Sequence, residues 1–177
     1  MKYIILILAL LFSIDSFGLT LTTAQKTTLR NDALAQPSLQ TCIANIDDTC
    51  VANYYNSNST VVVWKSSELE SDIYNEPGFN WTLIDGLTQG KRDEWNMLFK
   101  QGSYNPSQVN KRNAVIDIWS GTAAKLLVQT AILNVSQRFA TNLEALFATG
   151  NGTNTSPSTM SVEGTITPAE ISTALRP

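Results

Sequence analysis

The residues of this chain able to do chemistry are its carboxylates and two cysteines, because its 177 residues include no histidine. The commonest general base and metal ligand is therefore missing, and with it serine-triad, cysteine–histidine and ordinary catalytic zinc arrangements. Asp85, Asp93 and Asp117 are the acids an enzyme could use, yet Asp93 and Glu94 stand beside Lys91 and Arg92 in a pattern that suits the wet face of a helix. General acid–base work needs a second group and a cleft, and neither is visible. Asp47-Asp48 offers paired carboxylates to a hard cation but lacks the glycine and further oxygen donors of a calcium loop, so a solvated turn is expected. Cys42 and Cys50 lie eight positions apart, which matches neither a short redox pair nor a four-thiolate zinc site. A local disulfide between them fits the spacing. No catalytic, cofactor-binding or metal residue is assigned, and a non-enzymatic protein without cofactor is expected.

The elements that would hold these residues are helices. The longest apolar period runs from Thr122 to Thr149, where Ala124, Leu127, Ala131, Val135, Phe139, Leu143 and Leu146 or Phe147 recur three or four residues apart. Read as one amphipathic helix, it spans roughly 40 Å. It starts at Thr122 as N-cap and ends at Gly150-Asn151-Gly152. The fold expected is mainly α: a compact helical domain over 19–150 built around this helix at about 122–149, with at most a short β ribbon.

Shorter helices precede it. Thr22 to Gln25 is a capping box, and the helix it opens ends at Pro37; Ser38 caps a second helical stretch. Val61 to Trp64 is the clearest β-branched run, expected to pair near Val162 or Ile166 or to pack as an extended piece. Ser66-Ser67 starts another helix. Thr88 caps a helix whose Trp95, Leu98 and Phe99 share one face, and Ser107 caps another whose Val115, Ile118 and Trp119 form an apolar edge. Asp117 in that helix is expected either partly buried beside Lys111, Arg112 or a helix-end amide, or exposed on the flank.

Residues 151–177 read as a flexible linker followed by a short C-terminal segment. Thr167-Pro168-Ala169-Glu170 combines an N-cap, proline at the first helical position and glutamate at N3. Met160, Val162, Ile166, Ile171 and Leu175 are the apolar residues of this tail, free by sequence to dock on their own domain or to reach a neighbour as an interaction tail.

The formal charge of −3 comes from 15% charged residues with no basic run, so a nucleic-acid partner is not expected. Residues 1–18 carry a charged start, an apolar run from Tyr3 to Phe12 and small Ser16 and Gly18, as a signal peptide cleaved after Gly18 would. The run is too short for a stable membrane anchor. Leu19 is the competing start of the protein, which would make the leader an artefact of the assigned start codon.

Five blocks resemble a family of small proteins encoded among head and tail morphogenesis genes of tailed bacteriophages. They are LTTAQKTTLRNDALAQP at Leu19–Pro37, VVWKSS at Val62–Ser67, NPSQVNKRNAVIDIWSGTAA at Asn105–Ala124, QRFATNLEALFATGNGT at Gln137–Thr153, and SPSTMSVEGTITPAEI at Ser156–Ile171. The leader and the Cys42–Cys50 region depart from the family pattern. The resemblance brings no catalytic residues. It implies a virion structural or morphogenesis protein, present in the virion and in the host cytoplasm during assembly, whose partners are other virion proteins or copies of itself. The leader supports a different expectation, an exported bacterial helical binding protein in the periplasm or secreted.

Overall fold

A computed structural model describes residues 19–177, so the leader at 1–18 lies outside the described residues. The chain folds mainly into helices. Helix α1 (Thr23–Ala35) opens on the expected capping box, in which Thr22 Oγ1 accepts from the Gln25 amide and the Gln25 side chain accepts from the Thr22 amide. A 3₁₀ turn at Pro37–Leu39 leads into α2 (Gln40–Ala44), and Asp47 caps α3 (Asp48–Asn56). There follow β1 (Asn58–Trp64), β2 (Glu68–Leu69), α4 (Glu70–Tyr74), α5 (Thr82–Asp85), α6 (Gln89–Leu98), β3 (Ser103–Tyr104) and α7 (Val109–Ile118). The last third is α8 (Ala123–Val135), β4 (Gln137–Thr141), α9 (Asn142–Leu146), β5 (Ala148–Thr149), β6 (Thr159–Met160) and α10 (Pro168–Leu175). Thr88, Thr122 and Thr167 all cap the helices expected of them.

The single long helix at 122–149 is not there. Helix α8 stops at Val135, a strand follows, and α9 is a separate short helix. Three causes act together. Ser136 is fully buried, and its hydroxyl is held both by the Ile132 carbonyl at 2.6 Å and by the Tyr104 phenol of β3, which fixes it in place where α8 ends. Thr141-Asn-Leu-Glu144 is itself a capping box, so a new helix begins inside the apparent stripe. Strand β1 also needs a partner, and Gln137–Thr141 supplies it antiparallel, with Val62 opposite Phe139, Val63 opposite Arg138 and Trp64 opposite Gln137. The stripe read from sequence consequently splits. Val128, Ala131 and Ile132 face the core of α8, whereas Leu127 and Phe139 are exposed.

Strand β1 therefore pairs with β4 and not with the segment near Val162 or Ile166. Its second edge is filled from the same chain. Val62 N donates to the Gly152 carbonyl, Ser158 N to the Val62 carbonyl and Trp64 N to the Ser158 carbonyl, at 2.9 to 3.0 Å. The stretch expected as a flexible linker is thus pinned to the sheet. Gly152 is required there, since its φ is +67° and a Cβ would stand 2.7 Å from Val61 Cγ1. Ser66-Ser67 does not start a helix; Glu68–Leu69 pairs with Ser103–Tyr104 first, and α4 begins at Glu70. Ser107 is not an N-cap either, because Asn105 Oδ1 takes both its amide and its hydroxyl in a local turn and α7 begins after Gln108.

Two hydrophobic cores result. One gathers α1, α3, α9 and α10 through Leu29, Leu39, Val51, Tyr55, Leu143 and Ile171. The other is aromatic and gathers α4, α6, α7 and α8 through Ile73, Phe79, Trp95, Trp119, Val128 and Ile132. The chain leaves the first core along β1 and returns to it along β4, and these two crossing segments pair with each other.

Candidate interaction surface

The acids singled out by sequence do not converge. Asp85 is exposed, and Asp93 accepts a hydrogen bond from Gln89 on the wet face of α6. Asp117 lies on the helix flank with its side chain 68% exposed, 3.9 Å from Lys91. Neither Lys111 nor Arg112 serves it. Arg112 donates instead to the Pro106 and Ser107 carbonyls and lies 4.6 Å from the centre of the Trp64 ring. Asp47 caps α3 through the Cys50 amide, and Asp48 pairs with Arg176 beyond α10. Among the described residues no group of three or more acid, cysteine or histidine side chains is placed to hold a metal.

The charges that are buried were not found from sequence. Glu144 is 2% exposed and takes two hydrogen bonds from Arg138, at 2.6 and 2.8 Å, and one each from the Thr141 and Gly164 amides. Burial pushes its carboxyl up, but these donors outweigh burial and hold it below the usual carboxylate range. Arg138 also reaches Glu163, so the network fastens β4 to the segment before α10. The capping box at Thr141 was the signal that could have located Glu144. Glu68 is as deeply buried and far less well served. Lys65 Nζ lies 2.7 Å from Glu68 Oε2 as its ion-pair partner, and no described backbone amide or other side chain donates to either carboxylate oxygen. Burial raises its carboxyl above the usual range despite Lys65. Nearby, Tyr104 and Ser136 share a buried hydrogen bond, and burial pushes the Tyr104 phenol up to about 12.

The aromatic side chains at helical spacing, Trp95 and Phe99, are core, whereas Trp81 and Phe139 are exposed. Trp95, Trp119 and Phe79 meet edge to face or stacked at 5.4 to 6.2 Å. Trp81 caps this cluster, 4.2 Å from the Tyr74 ring, and remains 54% exposed. It borders a groove of about 700 Å³ whose walls are Pro77, Phe79, Ala124, Leu127 and Val128. A Cβ on Gly78 would stand 2.8 Å from the Ala131 Cβ, so glycine lets the loop seat directly on α8 and form the groove. Leu127, 69% exposed, is the opposite lip.

The tail residues lie elsewhere. Val162, Ile166, Ile171 and Leu175 are buried in the first core, and Met160 pairs opposite Ala148 with its sulfur against Arg138. Asn56 receives the segment reciprocally, donating to the Ile166 carbonyl and accepting from its amide at 2.8 Å. The tail docks on its own domain. Cys42 and Cys50 are joined by a disulfide that fastens α2 to α3.

Comparison with family models, with curated proteins and with solved structures returned no match. The site is therefore characterised by its own geometry: an aromatic-lipped apolar groove, with no constellation of acids beside it. Such a surface can bury apolar side chains of another molecule. Among the described residues no helix is long and apolar enough to cross a membrane.

Proposed function

We propose that this protein is a non-enzymatic structural or morphogenesis component of a tailed-bacteriophage virion, acting by packing against neighbouring virion proteins. The observation that carries the packing mechanism is the exposure of Trp81 and Leu127 on the two lips of one apolar groove. Large aromatic and aliphatic side chains left open together are typical anchors of protein interfaces. The phage setting rests on the five sequence blocks. Complementation tests the mechanism: a phage lacking the gene, supplied with Trp81→Glu or Leu127→Glu protein, should yield far fewer complete particles than with wild type. Normal particle yield from both folded variants would exclude the groove as the packing surface.

A second reading is favoured by one observation, the Cys42–Cys50 disulfide. Disulfides persist in oxidising compartments, which suits an exported bacterial binding protein cleaved after Gly18. A periplasmic extract of the producing host containing the cleaved, oxidised chain would establish this reading. A cytosolic chain with both thiols free would exclude it.

A further inference from the structure

Strand β4 has one edge in use and one open. The register sets which groups face which way. Lys65 N donates to the Ser136 carbonyl, so residues 65 and 136 form a hydrogen-bonded pair. In an antiparallel ladder such pairs alternate, which makes Val63 and Arg138 the next one and turns the backbone groups of Gln137 and Phe139 away from β1. Val62 and Trp64, the residues opposite, confirm the alternation, because their own outward groups are taken by Gly152 and Ser158. On the β4 side no described segment does this. The Phe139 amide and the Gln137 carbonyl have no hydrogen-bond partner among the described residues, and the Phe139 carbonyl accepts only from the Arg138 side chain at 3.1 Å.

Among the described residues no covering loop or proline guards this edge, and the Arg138 guanidinium touches it at the Phe139 carbonyl. Proteins usually blunt an open strand with lysine, proline or a covering loop. Here the charge of the strand, Arg138, is tied to Glu144 and Glu163. The alternate positions are Gln137, Phe139 and Thr141, uncharged and without proline, and Phe139 is 57% exposed. Its ring stands over a groove of about 560 Å³ bounded by Val62, Asn134 and Asn154.

We propose that this edge pairs with the same edge of a second copy of the chain, antiparallel about a two-fold axis at Phe139. The segment QRFAT is self-complementary in that register. Phe139 faces Phe139 of the second copy, Arg138 faces Ala140 and Gln137 faces Thr141, so no like charges are opposed. The two outward Phe139 backbones exchange a reciprocal pair of hydrogen bonds, and the two rings cover each other over the Val62 groove. The result is an antiparallel sheet in the order β1, β4, β4, β1 joined at Phe139, while the Thr141 amide stays with Glu144. This deepens the packing reading above and rests on it only for its place in assembly.

The test needs no phage and uses the full purified chain in sedimentation and light-scattering measurements. Wild type should show a concentration-dependent monomer–dimer equilibrium. Phe139→Asp and Phe139→Lys, at an exposed position, should each weaken the dimer by at least about tenfold, because like charges meet across the axis. Mixing the two variants should restore it, since opposite charges then face each other. Hydrogen exchange on wild type gives a readout that needs no variant: the Phe139 amide should become protected as concentration rises. A wild-type chain that stays monomeric up to about 1 mM with a rapidly exchanging Phe139 amide would overturn the proposal. So would a dimer indifferent to both charges, or folded variants whose mixture fails to pair. Each of these leaves the Trp81 groove standing, whereas absence of the protein from particles leaves the dimer standing.

Discussion

Arg138 holds Glu144 through two parallel hydrogen bonds of 2.6 and 2.8 Å, and so ties the strand that crosses between the two cores to the first turn of the helix that follows it. Glu144 simultaneously serves the Thr141 amide of its capping box and the Gly164 amide ahead of α10. The strand, the helix cap beside it and a segment twenty residues further on thus share one carboxylate.

Glu144→Gln keeps the shape and removes the charge. It should cost about 2 kcal/mol at neutral pH, the scale of a buried charge-assisted hydrogen bond. The sign with pH follows from the lowered folded-state pKa: the stabilisation is present above the ordinary glutamate range and is lost as pH falls through the folded value. Urea unfolding of wild type and variant should therefore converge in acid. A difference that persists unchanged in acid would contradict the charge-based account.

Glu68 should behave in the opposite sense. Its folded-state pKa is raised by burial, so its contribution is most favourable below the ordinary glutamate range and declines as pH rises through the folded value. Glu68→Gln should flatten that decline and leave stability at neutral pH equal to or above wild type. A large loss at neutral pH would mean that the Lys65 pair outweighs the cost of burying the carboxylate.

Gly152→Ala combines a positive φ with a contact 2.7 Å from Val61 Cγ1. The expected loss is about 2 kcal/mol, read as a lowered urea midpoint at constant slope. Gly90→Ala, in a helix with open space around the added methyl, should instead be neutral or slightly stabilising.

Replacing Cys42 and Cys50 by serine releases a short loop and should cost about 2 kcal/mol in unfolding under oxidising conditions. Under reducing conditions wild type and variant should have similar midpoints. Equal stability in both conditions would show that the bond does not constrain the unfolded chain.

Removing 156–177 tests the place of the tail. Val162, Ile166, Ile171 and Leu175 belong to the first core, so the truncated chain should lose cooperative unfolding of that core and bind a hydrophobic dye. A cooperatively folded truncation would show that the tail is dispensable to the domain.

Local chemistry was legible in the sequence where a cap or an apolar face was complete within one helix. The boxes at Thr22 and Thr167, the caps at Thr88 and Thr122, and the buried face of Trp95, Leu98 and Phe99 are all as read. The reading failed at Ser136. A helical period of apolar residues continues straight through it, and only the competing box at Thr141 marks the break. What decides between helix and strand there is the need of β1 for a partner, a tertiary contact with no local signature. The Trp81 groove was hidden for a similar reason: it depends on Gly78 bringing a loop onto α8, far along the chain. The burial of Glu68 likewise comes from pairing with the Tyr104 strand, which no periodicity announces.

The most direct test of the proposed virion role is peptide-resolved mass spectrometry of particles purified from the producing culture, reading both abundance and the N-terminal peptide. The account predicts the chain at stoichiometric level relative to known particle proteins, with peptides covering the described fold from Leu19 onward. Finding the chain only outside particles, cut after Gly18, would contradict it and favour the exported binding protein.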